Sequence, residues 1–78
     1  MTQYYIFEIK LSYAGEYEHT VHWAYDADPN IARLKAESKY HEILSAAAVS
    51  KTKTHSATLL TGDGIPLMDQ CYVHEGGN

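Results

Sequence analysis

One stretch of the chain, from Asp28 to Ser50, is long enough and regular enough in its spacing to be a helix, and the segments on either side of it alternate. That contrast constrains the fold more than any motif does, because a lone helix among alternating segments has to close one face of a sheet. Asp28 can cap the helix with its carboxylate, and Pro29 takes the first helical position, where a missing N–H costs nothing. Ala32, Arg33, Leu34, Lys35, Ala36 and Glu37 follow as good helix formers. At about 100° per residue, Ala36, Tyr40, Ile43, Leu44 and Ala47 share one arc, with Leu34, His41 and Ala48 beside it. Lys35, Lys39, Glu42 and Ser45 lie opposite. Arg33 and Glu37 are spaced for a surface ion pair. The helix is expected to end near Val49–Ser50, where Lys51 and Lys53 complement its negative end.

Ahead of the helix, Tyr5, Phe7, Ile9, Leu11 and Tyr13 alternate with Tyr4, Ile6, Glu8, Lys10 and Ser12, the period of a strand. The first set is read as facing the core. After a turn at Ala14–Gly15–Glu16, a second strand sets Tyr17, His19, Val21, Trp23 and Tyr25 against Glu18, Thr20, His22 and Ala24. Together they predict a hairpin over 3–25. Beyond the helix (28–50) and a polar connector, His55 to Thr61 reads as a third strand with Ala57 and Leu59 inward. Gly62–Asp63–Gly64 is the strongest turn signal in the chain. Ile65 to His74 is a fourth strand with a blurred pattern, since Leu67, Cys71 and Val73 share a face with Asp69. The second hairpin therefore covers 55–74, and 75–78 is expected to be a flexible tail. The fold class is α+β: a ββαββ chain whose four-stranded, mostly antiparallel sheet carries one helix on one face. In this register Phe7 and Trp23 lie beneath the helix, against Tyr40, Ile43 and Leu44.

A chain of 78 residues forms one domain and is near the lower limit for a core without a staple. The single cysteine, Cys71, allows no internal disulfide and suits a reducing compartment. The opening residues have neither the basic nor the apolar region of a signal peptide, and no apolar run reaches membrane-spanning length. A cytoplasmic protein is the expectation. The formal net charge of −4 argues against nucleic acid as a partner, because phosphates demand a basic face.

No motif specifies a reaction, and no cofactor is expected. His19 and His22 are three apart in a strand, so they point to opposite faces and cannot chelate one metal. His41, His55 and His74 could meet only through the fold, and no spacing typical of a zinc site occurs. Cys71 in a strand reads as a small packed hydrophobe unless its surroundings are electropositive. The alternative reading is a metal-binding or thiol-dependent enzyme domain built on His41, Cys71 and His74, and a further alternative is a nucleic-acid-binding domain. Asp63 is explained by turn geometry, and the seven tyrosines by the edge of the core.

If the helix covers the Phe7 side, the other face carries Tyr4, Ile6, His22, Ala24, Thr58, Leu60, Met68 and Tyr72. A wetted sheet face alternates to polar residues, and this set is too apolar for one. It is therefore read as a surface for a protein partner or a second copy, and the protein as a non-enzymatic interaction module, most simply a homodimer. The opening Tyr4–Tyr5 strand, Asp26–Asp28 before the helix, Lys39–Tyr40–His41 within it and the late Asp63–Gly64 turn carry a resemblance. On them the chain resembles small proteins encoded by phages and prophages of gut and Gram-positive bacteria. It departs from them at Pro29–Asn30, where an acidic residue is expected. The resemblance implies an accessory protein or an inhibitor of a host protein, with no established activity.

Overall fold

The computed structural model describes residues 2–75, and the chain order is strand, strand, helix, strand, strand. Strands β1 (Thr2–Leu11) and β2 (Tyr17–Asp26) precede helix α1 (Pro29–Ala48), and β3 (Thr54–Thr61) and β4 (Pro66–Val73) follow it. The sheet order is β2-β1-β3-β4 with every neighbouring pair antiparallel, so the first strand is central and the hairpins meet through β1 and β3. This is the expected ββαββ α+β architecture. Of the expected tail, all but Glu75 lies outside the described residues. Among the described residues, no helix is long and apolar enough to cross a membrane.

Both hairpins close in the same way. Ser12 N–H donates to Glu16 O at 2.9 Å and Gly15 N–H to Ser12 O at 3.0 Å; Thr61 N–H donates to Ile65 O and Gly64 N–H to Thr61 O, both at 2.9 Å. In each, the opening hydroxyl also accepts from the closing amide at 3.1 Å, Ser12 Oγ from Glu16 and Thr61 Oγ1 from Ile65. Gly15 and Gly64 hold φ of +88° and +87°, the left-handed geometry that three-residue hairpin loops require at their last position.

The helix begins as the sequence implies. Asp28 is extended, and its carboxylate accepts from Asn30 N–H at 2.9 Å with Pro29 inside. Asp26 Oδ1 accepts from the Asp28 amide and Asp26 Oδ2 from Lys35 Nζ at 2.8 Å, tying the end of β2 to the first turns of α1. The Arg33–Glu37 pair forms at 2.8 Å. Ala32, Ala36, Tyr40, Ile43, Leu44 and Ala47 are buried, so the arc read from the spacing is the packed one, and the alanines let the helix backbone sit close to the sheet.

The register of the first hairpin is the reverse of the expected one. Beneath the helix lie Ile6, at 0% exposure, and Ala24, together with Ala57, Leu59 and the partly buried Tyr4, Met68 and Tyr72. Phe7 and Trp23 point to the opposite face, Trp23 at 62% exposure. Apolar count favours the Phe7–Trp23 set, yet the register follows the volume that fits under the helix. Ile6 pairs with His22 and Leu59, and Tyr4 with Ala24, giving a set small enough for close approach of the helix. Trp23, Tyr25, Phe7 and Tyr5 on that side would push the helix away. A one-residue difference in facing exchanges every side chain between the two sides.

Candidate interaction surface and a buried polar network

The reversal relocates the expected surface. Tyr4, Ile6, His22, Ala24, Met68 and Tyr72 stand on the helix side, where Ile6 and Ala24 belong to the core, so they do not form an uncovered face. Of the expected set, Leu60 and Thr58 lie on the open side, opposite Tyr5 and Phe7. The open face is assembled from the residues first read as core. Tyr5, Phe7, Ile9 and Leu11 of β1 oppose Trp23, Val21, His19 and Tyr17 of β2. Tyr5 and Trp23 put their ring centroids 5.9 Å apart in a tilted cross-strand pair.

This face is divided. Its β1–β2 half is aromatic and aliphatic, whereas its β3–β4 half mixes Thr54, Ser56, Thr58, Asp69 and Cys71 with Leu60 and Val73. Exposure rises toward the outer strand: Phe7 is 41% and Ile9 38% exposed on β1, against 67% for Tyr17, 62% for Trp23 and 56% for Tyr25 on β2. The β1–β2 half spans roughly 300 Å² of footprint by ordinary strand dimensions, within the range of the largest apolar patch on a typical monomer. No lysine or arginine stands on the inward- or outward-paired positions of this face, and Asp69 is its one acidic side chain.

The other notable cluster lies under the helix. Glu8 Oε1 accepts from His22 Nε2–H at 2.8 Å, and Glu8 Oε2 from His55 Nε2–H at 2.6 Å. His55 is 2% exposed. On the other side of the ring, His55 Nδ1 lies 3.0 Å from Ser50 Oγ. The same hydroxyl stands 3.2 Å from Ala47 O, the last turn of the helix, and 2.9 Å from Thr52 Oγ1. Lys10 Nζ lies 3.9 Å from Glu8 Oε2. Burial raises the Glu8 pKa, but the hydrogen bonds from His22 and His55, with the charge of Lys10, outweigh it and hold the carboxyl below its ordinary value.

This Ser–His–Glu arrangement has the order of a hydrolytic triad without its setting. His55 is enclosed, and Ser50 Oγ donates to the helix-end carbonyl of Ala47. It ties β1, β2, β3 and the helix end together as a satisfied polar core. Sequence reasoning placed Glu8 on a strand surface. The available signal was the diagonal spacing of Glu8 to His22 and His55 across two strand pairs, legible only once the β1–β3 pairing is known.

The residues of the alternative reading do not meet. His41 lies on the exposed flank of the helix with its ring against Tyr40, 5.5 Å between centroids. Cys71 is exposed on the open side, paired with Ser56. His74 Nδ1 and Nε2 stand 2.9 Å from Thr52 O and 3.1 Å from Ala48 O, pinning the end of β4 to the helix end. Among the described residues, no group of three or more His, Cys, Asp or Glu could hold a metal ion. A shallow groove between α1 and β4 is lined by Tyr40, His41, Leu44, Met68, Gln70 and Tyr72.

Comparison with family models, curated proteins and solved structures finds no match for this chain.

Proposed function

We propose that the protein is a non-enzymatic interaction module that works as a homodimer, its copies meeting on the β1–β2 side of the sheet. The observation that carries this reading is the β1–β2 half of the open face, which exposes Trp23, Val21, Tyr17, Tyr25 and Phe7 together. An accessory or inhibitory role of the kind the resemblance implies would be exercised by occupying a surface. The acidic balance and the lack of basic residues on the open face disfavour nucleic acid.

Size-exclusion chromatography with light scattering over a concentration series tests the reading. The expected mass is twice the 8.8 kDa of the chain at micromolar concentration, falling toward a single chain on dilution. Val21→Lys is expected to shift the equilibrium to monomer with an unchanged circular dichroism spectrum, since Val21 is half exposed and contributes little to the core. A wild-type protein that stays a single chain throughout the series excludes the homodimer.

A further inference from the structure

We infer that the two copies join edge to edge through β2, as antiparallel strands centred on Val21, into one continuous eight-stranded sheet; this rests on the homodimer reading above and specifies its geometry. The two edges of the sheet are unlike. The β4 edge begins at Pro66 and is broken by an irregularity opposite Leu59–Leu60, both devices that discourage strand addition. The β2 edge runs for ten residues, Tyr17–Asp26, paired to β1 in unbroken register and containing no proline, with its acidic residues, Glu18 and Asp26, both on the helix side. An edge so long and regular is a pairing surface.

Its free backbone groups can be assigned. The Ser12 N–H donates to Glu16 O, so Ser12–Glu16 is a hydrogen-bonded pair of the hairpin. In an antiparallel ladder such pairs alternate, which makes Lys10–Glu18, Glu8–Thr20, Ile6–His22 and Tyr4–Ala24 pairs of the same kind. The N–H and C=O groups of Tyr17, His19, Val21, Trp23 and Tyr25 therefore point away from β1. Of their side chains, Tyr17, Val21, Trp23 and Tyr25 are each half exposed or more on the open face, as expected of a strand lacking its neighbour.

A twofold axis perpendicular to the sheet pairs residues of like parity, so that each side chain keeps its face. Centred on Val21, the register sets Val21 against its own copy, His19 against the partner's Trp23 and Tyr17 against the partner's Tyr25. Each of these pairs exchanges two backbone hydrogen bonds. On the helix side Glu18 meets the partner's Ala24 and Thr20 the partner's His22. Centring on His22 instead puts Glu18 opposite the partner's Asp26, a like-charge pair. Centring on Thr20 leaves Tyr25 and Asp26 without partners. Each helix packs on β2, β1 and β3, so its middle lies over β1. The two helices then stand roughly 14 Å apart, three strand spacings, outside the 8–10 Å of contacting helices. Stacking the open faces would instead carry Ser56, Thr58 and Asp69 into a dry interface. Edge pairing brings the two β1–β2 halves together at the middle of the sheet, where Tyr17, Val21, Trp23 and Tyr25 pack against the partner's side chains across the seam.

Disulfide trapping and hydrogen exchange test the geometry. In a Cys71→Ser background, Val21→Cys places two cysteines at a hydrogen-bonded pair with Cα atoms about 5.5 Å apart, inside the range a disulfide spans. Oxidation is expected to give a covalent dimer, whereas Phe7→Cys in the same background stays a single chain on a non-reducing gel. The amides of His19, Val21 and Trp23 are expected to exchange about tenfold or more slowly above the dissociation constant than below it. A dimer that cross-links through Phe7→Cys, or whose Val21 amide exchanges freely, overturns edge pairing and leaves self-association standing. A protein that is a single chain at every concentration overturns both.

Discussion

Glu8 Oε2 lies 2.6 Å from His55 Nε2, across 47 positions of the sequence, and so fastens β1 to β3 beneath the helix. The carboxyl is held below its ordinary value of 4.5: burial opposes this, but the hydrogen bonds from His22 and His55 and the charge of Lys10 prevail. A depressed folded-state pKa contributes stability that is fully present above the unfolded value and is lost as pH falls through the folded value. With the Glu8 contribution fully present, chemical denaturation midpoints are thus expected not to vary with pH on its account above about pH 5 and to fall below about pH 4.5. Asp26, lowered chiefly by its hydrogen bond from Lys35, acts in the same direction at the surface. Glu8→Gln should flatten the acid limb of the profile. A limb as steep in Glu8→Gln as in the wild type would show that other carboxylates govern it.

Removing the acceptor altogether is a harsher change. Glu8→Ala leaves the His55 Nε2–H enclosed without a partner, an arrangement that costs about 1–3 kcal/mol. Urea unfolding should place this variant well below Glu8→Gln in stability at neutral pH, because glutamine retains a carbonyl that can accept from one ring. Equal losses in the two variants would mean that the charge, and not the hydrogen bond, matters.

Ile6 and Phe7 are adjacent and are expected to respond unequally. Ile6→Ala removes a fully buried side chain between Leu59 and the helix, and such truncations cost about 2–5 kcal/mol. That is a large share of the stability of a domain this small. Phe7→Ala trims a ring on the open face and should cost about 1 kcal/mol. Thermal or urea unfolding decides the register directly: a Phe7→Ala loss exceeding that of Ile6→Ala would restore Phe7 to the core.

That pair also marks where sequence reading stops. The helix and its buried arc were legible from Asp28, Pro29 and the spacing of Ala36, Tyr40, Ile43, Leu44 and Ala47, because cap chemistry and helical period are local. The second hairpin was half legible, since Ala57 and Leu59 alternate with threonine and serine. The first hairpin was not, since Tyr5, Phe7, Ile9 compete with Tyr4, Ile6 and the choice rests on how much volume fits under an alanine-rich helix. The idea of an apolar uncovered face was sound in kind and named the wrong side for Tyr4, Ile6, His22, Ala24, Met68 and Tyr72. The Glu8–His55 contact was invisible for a related reason: it joins residues across a strand pairing that no local pattern encodes.

The cap itself can be measured. Asp28→Ala removes the acceptor of the Asn30 N–H and is expected to cost about 1 kcal/mol, with Asp28→Ser recovering most of it. If alanine and serine are equally destabilising, the Asp28 contribution comes from its charge near the helix N-terminus rather than from capping.

The paired turns supply the last test. Gly15 and Gly64 occupy the same place in the two hairpins, both at left-handed φ and both with open space where a Cβ would stand. Alanine at either position is therefore penalised by backbone conformation alone, about 1 kcal/mol, and asparagine, which tolerates this region, should restore part of it. Gly62 differs. A Cβ there would lie 3.0 Å from the Gln3 carbonyl oxygen, backbone that can yield only by moving the start of β1 against β3. Gly62→Ala and Gly62→Asn are thus expected to be destabilising alike, through crowding rather than through φ. Unfolding midpoints of the alanine and asparagine variants at the three glycines separate these causes. Asparagine rescue at Gly62, or its failure at both Gly15 and Gly64, would contradict the assignment.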